Sequence, residues 1–403
     1  MTRKIAFRLD RSSSIKAFAP IIIESLKKGV PASLMCGPDP HNSWPHNPGY
    51  RPLPENVDFP GKDQVEFINY MDNDDLCNKA VSYGITDFFI QHFNEKTLGS
   101  ALTRMREEGI RVYCLQWAAD YVVTTCEALK KIDAYFVYGP AMVDIYFKLH
   151  PECNRALYEK KFVSVGSPIA DSFNHIAKPD EIRKKYRLPL NKKIVLVVLL
   201  DLAYPWAKWG FGAKNSIEAI RNFIYHRNLR LVYDTFFDVK YFNVLKVLKN
   251  WCIKNNAVLV AKSRPRHREP TYIKKTTDHL LSETTNWYPI MSAELVTVAD
   301  LVISFNSAVA WEAVAKGIYT ITIDVRDDEN TANYMIHRAD SDLYNSVGVG
   351  KWLSFRDIAK FFRLHSLDEF VVDPIKKKAY IEKYLGFDDS CASERIIKYV
   401  LQS

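Results

Sequence analysis

Short apolar runs alternate along this chain with stretches whose apolar residues recur at helical spacing, and that alternation predicts the architecture. In the first half, strand-like runs occupy Lys4–Leu9, Ala32–Cys36, Asp87–His92, Arg111–Trp117, Ala134–Tyr138 and Phe162–Val165. Ile15, Phe18, Ile22 and Leu26 recur at helical spacing in a segment that Ser12–Ser14 can cap and Gly29 can end. Pro20 falls inside that segment, removes an N–H from the helical ladder and predicts a bent or shortened helix. Further helices are predicted at about Asp75–Tyr83, Thr97–Glu108, Val122–Lys131 and Ala141–Leu149. Strands alternating with helices predict a parallel sheet covered on both faces.

The first half ends at Phe162–Phe173, FVSVGSPIADSF, and the next stretch, KPDEIRKKYRLPLNKKIVLVVLL, predicts a short amphipathic helix, a stop at Pro189 and a new apolar strand over Ile194–Leu200. A domain boundary is therefore expected between Ser172 and Asn191. More strands follow at Arg230–Tyr233, Ala257–Ala261, Leu280–Ser282, Leu301–Phe305 and Tyr319–Ile323, with helices such as Ala213–Tyr225 and Tyr241–Asn255 between them. Only the architecture repeats between the halves; no sequence repeat relates them. Gly37–Pro60, rich in Pro, Asn, His and Gly, interrupts the alternation and reads as a long functional loop on the acceptor side.

The most informative segment is Ala299–Asp324, ADLVISFNSAVAWEAVAKGIYTITID. It reads as a buried strand, a tight turn with Asn306 and Ser307, a short helix containing Glu312, a stop at Gly317 and a second buried strand. Such a unit brings small polar side chains and backbone N–H groups to the carboxyl edge of a parallel sheet, where open α/β sheets bind ligands. N–H groups there suit a phosphate or diphosphate, and a carboxylate further along can accept hydrogen bonds from sugar hydroxyls. The segment thus reads as half of a nucleotide-sugar site.

At 403 residues the chain suits two domains. Its composition is that of a soluble globular protein, and neither a signal peptide nor a membrane-spanning run is apparent, so a cytoplasmic location is expected. The seven cysteines (Cys36, Cys77, Cys114, Cys126, Cys153, Cys252, Cys391) form no CxxC pair and have no His at zinc-ligand spacing, so reduced thiols and no metal site are expected. A net charge of +8 fits an anionic substrate or membrane surface, but no nucleic-acid motif accompanies the dispersed basic residues.

Taken together, these motifs resemble a known family. The V-G-S-P-x-x-D crossover, the R-x-x-L-P-x-x-K-K-I-V-L-V entry to the second half, the A-D-L-V-I-S-x-x-S-A-x-x-E-A-x-x-x-G unit and the terminal Y-L-G-x-x-D-x-x-x-S-E-R-I helix look like a GT-B glycosyltransferase. The nearest flavour is that of bacterial capsule, lipopolysaccharide and teichoic-acid enzymes. The resemblance implies an α/β fold with two Rossmann-like parallel-sheet domains facing each other across a cleft. Residues 1–175 would form the acceptor side and 176–385 the nucleotide-donor side, with 386–403 a terminal helix packing back on the first domain. It further implies a nucleotide-sugar donor as substrate rather than cofactor, a glycan or lipid-linked glycan acceptor, and scope for peripheral contact with the inner membrane. On the donor side it points to Ser304, Asn306 and Ser307 for the phosphates and Glu312 for ribose or sugar hydroxyls. The stretch KSRPRH (Lys262–His267) occupies the place of a Lys-x-His-Pro loop in relatives, which adds Lys262, Arg264 and His267; here Arg264 precedes the Pro where His is usual.

Inverting sugar transfer needs a base to take the acceptor hydroxyl's proton and cations or N–H groups to stabilise the departing phosphate; with those groups present it needs no metal. The base is expected at the carboxyl end of a first-half strand. Asp120, after LQWAA, is the first candidate, Asp10 the second and His92 the third. Each has a structural alternative, helix caps for the two aspartates and a strand-end histidine for His92. Asp201–Gly212, DLAYPWAKWGFG, supplies Tyr204, Trp206 and Trp209 for stacking on a base or sugar. A sugar-nucleotide 2-epimerase, a glycerophosphate transferase and a non-catalytic nucleotide-sugar-binding subunit are the competing readings.

Overall fold

The computed structural model describes residues 3–10, 12–37, 54–91, 95–116, 124–199, 239–263, 271–282, 288, 290–305, 307–324 and 337–403. Two wholly parallel sheets organise them. The first contains β1 (Ile5–Leu9), β2 (Ala32–Cys36), β3 (Glu66–Asn69), β4 (Asp87–Ile90), β5 (Arg111–Leu115), β6 (Ala134–Val137) and β7 (Phe162–Ser164), in the order β3-β2-β1-β4-β5-β6-β7. The second contains β8 (Lys193–Val198), β9 (Ala257–Ser263), β10 (His279–Ser282), β11 (Leu301–Ser304), β12 (Thr320–Asp324) and β13 (Gly350–Ser354), in the order β10-β9-β8-β11-β12-β13. Each sheet grows first to one side of its opening strand and then to the other. Each therefore has a switch point, between β1 and β4 and between β8 and β11, where the helices leave in opposite directions and open a crevice.

Two strands escape the apolar pattern, β3 and β13. Both are edge strands with few buried positions, EFIN and GKWLS. An edge strand is covered less completely than a central one, so the continuous apolar run of a doubly buried strand is absent. Central β6 (AYFV) and β11 (LVIS) are buried at every position and were legible for that reason.

The first helix runs without a break over Ile15–Lys27, through a buried Pro20. The predicted bend or truncation is thus not seen in its span, and burial of eight further residues of that helix outweighs one lost ladder bond. The helix expected over Val122–Lys131 is shorter, Cys126–Lys130, capped by Thr125 accepting from the Ala128 N–H. The expectation of seven reduced cysteines also needs correction: Cys126 and Cys153 form a disulfide with Cα atoms 5.5 Å apart. Their positions are 27 residues apart, without a spacing motif, and only folding brings them together.

The last helix, Ala392–Gln402, lies against the first helix, Ile15–Lys27. Its Tyr399 ring sits edge-on to Phe136 at 5.4 Å, beneath an aromatic row in which Phe7 and Phe89 lie 4.9 Å apart and Tyr113 and Phe136 5.5 Å apart. Three close meetings hold this return. Asp171 accepts from the N–H groups of Ala392 and Ser393 at 3.0 and 2.6 Å. Gly139 leaves no space for a side chain, since a Cβ there would stand 2.4 Å from the backbone carbon of Tyr384. Gly386 turns with φ 79°, beside the Tyr138 carbonyl. The Pro168–Asp171 crossover and the terminal segment, both prominent in the sequence, are thus spatial neighbours.

Candidate functional site

The carboxyl end of β11 runs straight into the predicted turn, one strand from β8 and therefore at the second sheet's switch point. Ser304 is fully buried there, and its Oγ lies 3.3 Å from Thr322 Oγ1 of the neighbouring strand, inside the sheet. Ser307 is nearly buried; its Oγ accepts from the Val309 N–H at 3.4 Å and so starts the Val309–Ala315 helix. Glu312 lies on that helix and faces a cleft whose other wall belongs to the first half.

That cleft is lined by Tyr138 at the end of β6, by Ser167 of the crossover, by Trp311 and Glu312, and by Phe387 of the terminal segment. Tyr138 and Trp311 meet edge to face with ring centroids 6.1 Å apart. The Arg395 guanidinium covers Phe387 at 3.5 Å. Tyr138 and Trp311 are nearly fully buried and pack on each other, so among these residues Glu312 supplies the polar group, a carboxylate able to accept hydroxyl hydrogen bonds.

Lys262 is the penultimate residue of β9, which lies on the far side of β8 from β11, so about 10 Å separates its strand from that of Ser304. It is 4 % exposed. Ser263 beside it shares a 2.6 Å hydrogen bond with Ser282. The second sheet thus brings Lys262, Ser304, Ser307 and Glu312 to one edge.

In the first half, Asp10 follows β1 at that sheet's switch point. Its Oδ1 lies 2.9 Å from Arg8 Nε, and the same nitrogen donates to the Tyr70 hydroxyl at 3.0 Å. Burial pulls the Arg8 guanidinium down, but Asp10 and Tyr70 outweigh it and leave Arg8 firmly cationic. Gln91, just after β4, donates to the Ser14 carbonyl at 3.4 Å and ties the end of that strand to the start of the Ile15–Lys27 helix. Asp120, His92, Arg264, His267 and Asn306 lie outside the described residues, as does the aromatic stretch 201–212. Another buried carboxylate, Asp87, is a structural group: it begins β4 at the opposite edge and pairs with Arg111 and, at 3.7 Å, with Arg3.

Sequence reasoning missed Tyr138, Ser167, Trp311 and Phe387 as cleft residues and Arg8 and Tyr70 as neighbours of Asp10. Arg8 left a signal, a lone charge within the apolar strand IAFRL. Trp311 adjoins Glu312 in the sequence, while Ser167 and Phe387 converge only through the chain's return.

Residues 210–362 match the model of a family described as "putative O-antigen biosynthesis protein". No curated protein matches the chain. Among solved structures, UDP-GlcNAc 2-epimerase from Neisseria meningitidis bound to UDP-GlcNAc superposes with a TM-score of 0.58 at 11% identity, covering 100% of both chains. The S. aureus MnaA–UDP co-structure gives 0.57 at 11% identity, covering 99% of this chain and 97% of that one. The wall teichoic acid polymerase TagF gives 0.56 at 12% identity, covering 100% and 89%. At these identities the likeness concerns the fold. Two parallel Rossmann-like sheets, a cleft between them and a terminal helix returned to the first half give this chain the GT-B fold.

Proposed function

We propose that the protein is a nucleotide-sugar-dependent glycosyltransferase of surface-polysaccharide synthesis, inverting and metal-independent. Residues 1–175 hold a glycan or lipid-linked glycan acceptor, 176–385 hold the donor, and 386–403 return to the first half. The observation that carries this reading is Glu312, a carboxylate at the donor-side switch point, facing an aromatic cleft closed by the other half. Of the structures named above, the 2-epimerase is bound to UDP-GlcNAc and MnaA to UDP, which supports a nucleotide-linked substrate for this chain.

In this reading Glu312 accepts hydrogen bonds from ribose or sugar hydroxyls, while the turn at Ser304, Asn306 and Ser307 and the cations Lys262, Arg264 and His267 meet the diphosphate. A first-half base, Asp120 or else Asp10, with His92 next, takes the proton from the acceptor hydroxyl. That oxygen attacks the anomeric carbon as the bond to the diphosphate breaks, and the leaving charge rests on the second-half cations. Peripheral contact with the cytoplasmic face of a membrane would serve a lipid-linked acceptor.

A thermal-shift screen of UDP-, GDP-, CMP- and CDP-linked donors tests donor binding, since a ligand held only by the folded chain raises its melting temperature. Product analysis with the donor that binds then separates sugar transfer from epimer exchange, glycerophosphate transfer or no reaction. The 2-epimerase is the second reading, because that fold matches this chain from end to end. Against it, no Gly-Gly follows Phe305.

A further inference from the structure

Cys126 begins the Cys126–Lys130 helix, half-buried, and Cys153 lies in the turn that follows the Pro140–Leu149 helix, 7 % exposed. Their bond closes a stretch holding β6 and the Pro140–Leu149 helix. Around it the packing is specific. The Tyr146 hydroxyl donates to the Thr124 carbonyl at 2.6 Å, and Thr124 Oγ1 lies 3.2 Å from the Tyr135 hydroxyl. Tyr146 Oη also stands 3.8 Å from Cys153 Sγ.

That last contact distinguishes two states. A phenol has one proton, and Tyr146 uses it on Thr124, so its oxygen is left as an acceptor toward Cys153. A reduced Cys153 thiol can therefore donate to Tyr146, whereas the disulfide needs no partner and has Cα atoms at an ordinary 5.5 Å separation. Tyr146 thus offers a reduced Cys153 an acceptor, and the disulfide leaves no donor there to satisfy.

We infer that Cys126 and Cys153 form a reversible redox-modification site, oxidised by a glutathione-type small-molecule disulfide and reduced by dithiols. Cys126, the more accessible of the two, loses its proton to solvent and attacks one sulfur of the small disulfide, expelling one thiolate. Cys153, deprotonated in turn, attacks the Cys126 sulfur of the mixed disulfide and expels the second. The protein loses two protons and two electrons, and the small disulfide gains them as two thiols. The other described cysteines are poor competitors. Burial raises the Cys36 and Cys252 thiols to about 12 and raises Cys77 and Cys114 as well. Cys391, partly exposed, is raised by burial and then by Asp389. Glu152 sits within 4.8 Å of both sulfurs, so a thiolate-bound divalent cation is the rival use of the same cluster.

The test uses the full chain carrying Cys391→Ser, incubated with oxidised glutathione, then with dithiothreitol, and mapped by mass spectrometry without reduction. The expected result is one cross-link joining the Cys126 and Cys153 peptides, two titratable thiols lost, both recovered with dithiothreitol, and a melting temperature about 5 °C higher in the oxidised state. A further Cys126→Ser change should abolish the cross-link and the shift while leaving the reduced melting temperature nearly unchanged. Thiols that stay free, glutathione adducts that never resolve, or a cross-link that dithiothreitol cannot open would each overturn the inference. So would stoichiometric zinc bound by both thiols in the purified protein.

Discussion

The Asp171 carboxylate is buried and receives two N–H groups from the start of the terminal helix, with Arg395 nearby. Burial pushes its pKa above the ordinary 3.8, against the opposing pull of the Ser393 and Ala392 hydrogen bonds and of Arg395. A raised folded value means the native state holds the proton more readily than the unfolded chain. This residue's contribution is therefore fullest below the unfolded value and declines as pH rises through the folded one. Asp171→Asn, which keeps an acceptor for the helix, should flatten stability against pH above about 4, as read from denaturant midpoints across a pH series. Asp171→Ala removes the cap and should cost about 1–2 kcal/mol. At the cleft, Glu312→Ala should weaken nucleotide binding in calorimetry with little change in melting temperature; unaltered affinity would remove Glu312 from the site. For catalysis, Asp120→Asn or Asp10→Asn should lower turnover by at least about a hundredfold with nucleotide affinity retained, if that residue is the base. A lost helix cap instead lowers stability and leaves turnover near normal.

Among the elements, the terminal helix and the turns beneath it carry the clearest consequences. Ile396, Ile397 and Val400 are fully buried, and exposing one such side chain costs about 1.5–3 kcal/mol. Deleting residues after Ser390 removes all three and uncovers the facing apolar residues of the Ile15–Lys27 helix. Stability and solubility should fall together, measured by melting and by the soluble fraction; an equally stable, soluble truncation would refute the packing role. Gly139→Ala places a methyl group against the Tyr384 backbone, which cannot move without displacing the segment to Gly386. Overpacking of this kind costs about 1–3 kcal/mol, and a denaturant midpoint unchanged from the parent would show that the return adjusts freely. Element types were legible where both faces of a strand are covered, as in β6 and β11. They were obscure at β3 and β13, whose edge positions tolerate polar residues.

Across the whole molecule, the two sheets share a strand order about their opening strands, with one further strand in the first, and each has a switch point with its own chemistry. At the first stands Asp10 beside Arg8; the second sheet's edge carries Ser307 and Lys262, and Glu312 lines the cleft. A donor seated against the second half at a hundred times its dissociation constant should stabilise the chain by about 2.7 kcal/mol, and the Glu312→Ala variant should lose most of that shift. Because cations and backbone N–H groups are assigned to the leaving phosphate, turnover should persist in EDTA. Loss of activity in EDTA that magnesium or manganese restores would replace this scheme with a metal-assisted one.

The sequence by itself determined the alternation of strands and helices, the parallel character of both sheets, the break between the halves and the strand-turn-helix-strand unit at Ala299–Asp324. These depend on periodicity, chain stops and small turn residues, which act within a few positions. Tertiary structure alone decided the strand order, and with it which strand ends share a crevice. It turned Ser304 into the sheet and Glu312 into the cleft, although both stand in one motif. It also joined Asp171 to Ala392, Gly139 to Tyr384 and Cys126 to Cys153. The physical reason is common to all of these: burial, hydrogen-bond partners and close approach depend on which distant segment packs against a residue, and local pattern carries no record of that.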